Sequence, residues 1–202
     1  MEEKILHLFT SANKLKFIDI ERALKQRSNK IAYHLNSLKN RGILKKENSL
    51  YSLSDEAEYL IPYLSEKKSS LPVILIEIKK NAKVFLYKRK KRPYLNLYSL
   101  PGGRLIIGES VQEGAKRIML SKFNIQIIPK EIKSISLEHI KKNKIIHSFI
   151  LILVKAEIIS SSNRSIEFQD LNKIKKEVIK SDYKLLISKP QPYNLKTIIS
   201  NI

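Results

Sequence analysis

The sequence predicts an α+β chain of two domains, on three observations. Before residue 67 apolar residues recur at helical spacing around one hairpin, whereas beyond it β-branched runs at 73–78, 84–87 and 145–154 surround a single helical segment at 111–123. Between the two patterns, Ser65-Glu66-Lys67-Lys68-Ser69-Ser70-Leu71-Pro72 is short, polar and closed by a proline, the composition of a linker. Charge changes at the same place: residues 1–66 hold 11 basic and 9 acidic side chains, the remainder 28 and 10. The expected organisation is a domain at 1–66, a linker at 67–72 and a second domain at 73–202, without internal repeats.

Composition excludes several classes. The longest apolar stretches, such as 145–154, reach about half a membrane span, which argues against a transmembrane protein. With no cysteine there is no disulfide framework, thiolate metal site or thiol nucleophile, and no charged-then-apolar leader opens the chain, so a cytoplasmic location is expected. The net charge of +20 points to an acidic partner. Heavy use of Lys, Asn and 31 Ile also marks an AT-rich coding background, so charge alone identifies no nucleic-acid contact.

In the first domain, Ile5, Leu6, Leu8 and Phe9, then Ile18, Ile20, Ala23 and Leu24, predict two short helices. A third is expected over 29–41, capped by Ser28, buried through Ile31, Leu35 and Leu38 at i, i+4 and i+7, and stopped by the left-handed turn that Gly42 allows. Residues 43–46 and 50–53, joined by the polar Glu47-Asn48-Ser49, predict a hairpin, and Ser54-Asp55-Glu56 opens a fourth helix.

Ser28, His34-Leu35, Leu38, Gly42-Ile43-Leu44 and Tyr51-Ser52-Leu53-Ser54 together resemble the winged helix-turn-helix regulators over some 60 residues. The resemblance implies binding to double-stranded DNA, with the third helix in the major groove and the hairpin on the backbone or minor groove. Asn29, Tyr33, Asn36, Ser37 and Asn40 face outward from the buried stripe, with Lys30 and His34 on its shoulders. Lys45 and Lys46, with Lys25 and Arg27, are the corresponding phosphate clamps. A protein-docking module with a solvated third helix is the alternative, and the nearly neutral charge of this domain keeps it open.

The segment Leu97-Tyr98-Ser99-Leu100-Pro101-Gly102-Gly103-Arg104-Leu105-Ile106-Ile107-Gly108-Glu109-Ser110 resembles the strand, turn and loop of the Nudix family. The family box reads Gly, five residues, Glu, seven residues, then Arg-Glu-apolar-any-Glu-Glu-any-Gly-apolar. Gly103, Glu109 and Arg117 fit that spacing, as do the apolar Met119 and Ile125, whereas Ile118, Ser121, Lys122 and Asn124 stand where the box has Glu, Glu, Glu and Gly. The resemblance implies an α/β/α sandwich with a mixed sheet over most of residues 71–190, and a structural role for Gly103, Glu109 and Arg117.

Positions 118, 121 and 122 share one face of the expected helix, the face that holds magnesium in active relatives. Ile118 cannot ligate a metal, and Lys122 would repel one while itself suiting a phosphate. Glu113 lies about 140° and 180° round the helix from positions 118 and 122, so it is no substitute. No metal or other cofactor is expected, and Glu138 and Glu167 are the later carboxylates available as a base. Gly102, Gly103, Arg104, Lys116 and Lys122 form the expected phosphate-ligand site. Between Lys79 and Arg92 lie eight basic side chains, read either as a solvated hairpin or as a phosphate or nucleic-acid surface. His7, His34, His139 and His147 show no metal-ligand pairing.

The leading expectation is a cytoplasmic, dimeric, DNA-binding transcriptional regulator whose Nudix-like domain is noncatalytic and serves dimerisation or the sensing of a nucleotide. The same pairing of a winged helix with a degenerate Nudix domain, in reverse order, is found in regulators of bacterial NAD metabolism, which implies an ADP-ribose-like effector. Two alternatives stand beside it: a nucleoside diphosphate-linked hydrolase with displaced metal ligands, and an RNA- or protein-binding scaffold.

Overall fold

The computed structural model describes residues 1–64, 69–141, 143–161 and 167–189, and the chain divides into two compact units, Met1–Ser69 and Ser70–Ile202. Of the expected linker, residues 67 and 68 lie outside the described residues, and Leu71 and Pro72 already belong to a strand.

The first unit contains α1 (Glu2–Leu8), β1 (Leu15–Lys16), α2 (Phe17–Leu24), α3 (Ser28–Asn40), β2 (Leu44–Glu47) and β3 (Leu50–Leu53). Ile5, Ile20, Ile31, Leu35, Leu38 and Leu44 form one core, which Tyr51, Leu53 and Ala57 complete. Burial at positions 31, 35 and 38 follows the helical spacing, and Gly42 at φ +70° ends α3 while Ile43 N–H returns to the Leu38 carbonyl at 3.0 Å. Ser28 does not cap this helix. It lies within the first turn, and its hydroxyl donates to Glu21 instead. The β2–β3 hairpin gains β1 as a third antiparallel strand. The expected fourth helix is a 3-10 helix, Asp55–Tyr63, in which Pro62 lacks an amide to donate.

The second unit begins with β4 (Leu71–Glu77), β5 (Lys79–Lys80), β6 (Lys83–Phe85), β7 (Tyr87–Lys88), β8 (Tyr98–Ser99) and β9 (Gly102–Arg104). It continues through α4 (Val111–Phe123), β10 (Ile125–Lys141), β11 (Ile145–Ser161), β12 (Phe168–Gln169), α5 (Leu171–Ile174) and α6 (Lys180–Ile187). The main sheet has the order β10-β11-β4-β9 and is mixed, because β4 runs parallel to β11 while the other pairs are antiparallel. Strands β10 and β11 reach past the expected run because bulges at Pro129/Glu131 and Ile132/Ser134 reset the register and restore inward-facing residues.

One face of this sheet packs α4 through Ile74, Ile76, Val111, Ala115, Ile118 and Met119, and a second cluster gathers Leu75, Leu100, Leu153, Val178 and Leu186 against α6. Gly102 is required where β9 meets β4, since a Cβ there would stand 2.7 Å from the Ile74 carbonyl oxygen. Among the described residues no helix is long and apolar enough to cross a membrane.

Candidate functional site

The Pro101-Gly102-Gly103 turn and the helix that follows it are pinned by two carboxylates. Ser110 caps α4 by accepting from the Glu113 amide at 3.2 Å, while Glu113 accepts from the Ser110 amide at 2.7 Å, a reciprocal capping box. Glu109 accepts from Arg117 Nε at 2.7 Å and Nη2 at 2.5 Å and from the Ile106 amide at 2.9 Å, so the Arg117 guanidinium first and that amide next hold its carboxyl below the usual range. Both acids are thereby committed to the loop. Asn124 fills the place of the family's glycine at φ +55°, a left-handed cap that asparagine tolerates.

The face of α4 carrying positions 118, 121 and 122 is split. Ile118 is fully buried in the core, Ser121 Oγ lies 3.5 Å from the Ile118 carbonyl, and Lys122 reaches over to donate to the Gly102 carbonyl. Hard oxygen ligands for a divalent cation are missing from this face. Among the described residues no three His, Cys, Asp or Glu side chains gather to hold a metal ion elsewhere. The residues present do not fit the magnesium that a Nudix fold implies.

Beside this turn opens a cleft of about 750 Å³, with Gly102, Gly103, Arg104 and Lys122 in its lining. Lys88, Arg89, Lys90 and Lys91 also line it, so half of the basic stretch noted in the sequence turns toward this space. Of the expected ligand residues Lys116 is the exception, exposed on α4 away from the cleft lining. Desolvation, and then the nearby charges of Arg89, Arg117 and Lys91, hold the Lys122 ammonium below the ordinary lysine range.

Two carboxyls share the cleft with these cations. Glu138, from β10, accepts from the Tyr94 hydroxyl at 3.2 Å. Asp182, from α6, is 4% exposed and accepts from the Leu100 amide at 2.8 Å and the Ser99 hydroxyl at 2.9 Å. Burial pushes the Asp182 carboxyl up to about 6, with the Glu138 charge adding to the rise and the two hydrogen bonds opposing it. Burial, then Glu138, pushes the Tyr94 phenol up to about 12, so it remains a donor at neutral pH. Glu138 was visible in the sequence as a late carboxylate. Asp182 carries no local signal and enters only because α6 returns to the Ser99-Leu100 segment. Glu167 is exposed and does not line the cleft.

In the first unit, Asn29, Lys30, Tyr33, Asn36 and Asn40 are exposed on α3, Tyr33 to 71%. Lys25 and Arg27 are exposed before that helix, whereas Ser37 and Lys45 are engaged by carboxylates. Ser37 Oγ donates to Glu2 Oε1 at 2.9 Å, and His34 Nδ1 lies 3.8 Å from the same oxygen. Lys45 pairs with Asp55 at 3.2 Å, and Lys46 sits over the Tyr51 ring, 5.1 Å from its centroid.

No family model matches the sequence, and no curated protein does. Solved structures do. A NUDIX hydrolase from Nitrosomonas europaea superposes with a TM-score of 0.55 at 14% identity, over 65% of this chain and 98% of that one. A MutT NUDIX hydrolase from Burkholderia pseudomallei gives 0.53 at 14% identity, over 59% and 97%. The second unit therefore has a Nudix fold.

These matches overturn the expectation of a DNA-binding transcriptional regulator with a noncatalytic second domain, because the structures on which the chain superposes are hydrolases and nothing among them points to DNA. The physical reasons lie in both units. Ser37 and Lys45 are tied to Glu2 and Asp55 instead of standing free for phosphates. The acid groups absent from the α4 face are not absent from the cleft, where Glu138 and Asp182 enter from other elements.

Proposed function

We propose that the second unit is a hydrolase of nucleoside diphosphate-linked compounds, acting in the cleft between the Gly102-Gly103 turn and α6. The observation that carries this reading is the juxtaposition, in one cleft on a Nudix fold, of the carboxyls of Glu138 and Asp182 with the cations Arg89, Lys91, Arg104 and Lys122. Such cations stabilise the charge that develops on a transferring phosphoryl group, and a carboxylate accepts the proton of the attacking water. In this reading the water oxygen bonds to phosphorus, its proton passes to Glu138, the bond to the bridging oxygen breaks, and the leaving phosphate departs as an anion beside the cations. Tyr94 orients Glu138 by its hydrogen bond, and Asp182 is a positioning residue that holds the Ser99-Leu100 backbone. We read the first unit, with its three helices and small antiparallel sheet, as winged-helix in form and assign it no nucleic-acid role.

The test is a panel of ADP-ribose, dinucleoside polyphosphates and nucleoside triphosphates, with products followed by phosphorus NMR. One class should be cleaved by the wild-type chain. Glu138→Gln should abolish cleavage, and Asp182→Asn, which keeps an oxygen for the Leu100 amide and the Ser99 hydroxyl but does not titrate, should retain it and displace the acid limb of its pH profile. Absence of cleavage across the panel would overturn the reading.

A further inference from the structure

The metal that a Nudix fold implies and the residues this chain supplies disagree, and the disagreement itself identifies a site. We infer that Lys122, with Arg89 and Lys91, forms a cation-built diphosphate site that takes the place of a divalent metal; the inference rests on the hydrolase reading for the class of ligand. Where a relative places acid on this face of α4, this chain has a fully buried Ile118 and the ammonium of Lys122. Glu109 and Glu113 cannot be recruited without breaking the Arg117 pairing or the helix cap. A divalent ion would therefore meet positive charge with no carboxylate of α4 free to offset it.

The same arrangement suits an anion. An ammonium has three donors, and Lys122 commits one to the Gly102 carbonyl, leaving two for an incoming oxygen. Arg89 commits its Nε to the Pro93 carbonyl at 3.0 Å, which fixes the guanidinium and leaves its terminal nitrogens for a phosphate. Among the described residues no carboxylate forms an ion pair with Arg89, Lys91, Arg104 or Lys122, although all four line the cleft. Charges of one sign crowded at a wall are mutually unfavourable; burial first, and then the charges of Arg89, Arg117 and Lys91, lower the affinity of Lys122 for its proton. A diphosphate between them relieves the crowding. Gly102 and Gly103 sit at the base of the arrangement, where a Cβ on Gly103 would crowd the Ile118 side chain at 3.0 Å and touch Lys122 Nζ at 3.5 Å.

Calorimetric titration of the full chain with inorganic pyrophosphate, in excess EDTA and again in excess magnesium, tests the site without requiring turnover. Binding is expected in EDTA. Lys122→Glu removes the donors and reverses the charge, so it should weaken binding by more than the roughly tenfold that one charge-assisted hydrogen bond supplies, and Arg89→Gln should weaken it with no reversal of charge. Circular dichroism of each variant should match wild type. Binding that appears only with magnesium, or a wild-type affinity in both variants, would overturn the inference. A chain that binds pyrophosphate in EDTA but cleaves nothing would refute the hydrolase reading and leave this site standing, so the two failures are distinguishable.

Discussion

Asp182 offers a sharp test of the cleft's electrostatics, because its carboxyl is almost wholly buried yet, among the described residues, accepts two hydrogen bonds. Burial raises it from an ordinary 3.8 to about 6 in the folded chain. At about 1.4 kcal/mol per tenfold, that difference corresponds to about 3 kcal/mol. The direction follows from which state holds the proton. Between pH 4 and 6 the folded chain retains it and the unfolded chain has lost it, so stability is greatest below this window, declines as pH rises through it, and has lost the full amount above it. The carboxamide introduced by Asp182→Asn would keep a carbonyl oxygen for the Leu100 amide and the Ser99 hydroxyl but would not titrate. Urea unfolding followed by circular dichroism at successive pH values should show the variant gaining on wild type by up to about 3 kcal/mol between roughly pH 4 and pH 6. A difference that stays flat across this window, or that grows in the opposite direction, would refute the assignment of a desolvated acid at this position.

Further outcomes follow from the packing. Gly102→Ala should cost about 1–3 kcal/mol in unfolding free energy, because its Cβ would meet the Ile74 carbonyl oxygen at 2.7 Å and backbone cannot yield as a side chain can. Lys133, 2% exposed, pairs with the equally buried Glu77 at 3.0 Å and donates to the Leu186 carbonyl at 2.9 Å. Glu77 also pairs with Lys79 at 2.5 Å and so keeps one partner; Lys133→Met should therefore destabilise by about 1–3 kcal/mol, and adding Glu77→Gln should recover part of that loss in a double-mutant cycle. Leu35→Ala removes a fully buried side chain from the first unit and should cost about 2–5 kcal/mol, read as a lower thermal midpoint.

Local features were the most legible in the sequence. Ile31, Leu35 and Leu38 place α3, Gly42 ends it, and Gly103, Glu109 and Arg117 mark the loop and helix of the second unit. The Ser110 and Glu113 pair is also a readable capping signature. What escaped depends on distant contacts or broken periodicity. The alternation of β10 is interrupted at Pro129 and Lys133, so a strand of 17 residues does not read as one. Asp182 joins the cleft only through the return of α6 to Leu100, a contact between residues 82 apart. A box inspected for its own carboxylates therefore reads as chemically empty, although the folded cleft holds two acids supplied by β10 and α6.

The most direct measurement is turnover of the same phosphate panel, followed by phosphorus NMR, with the full chain in excess EDTA and in excess magnesium. If cations of the protein stand in for the metal and Glu138 accepts the proton, one class of diphosphate-linked compound is cleaved at comparable rates in both conditions. Cleavage confined to the magnesium sample, or none in either, would contradict the account.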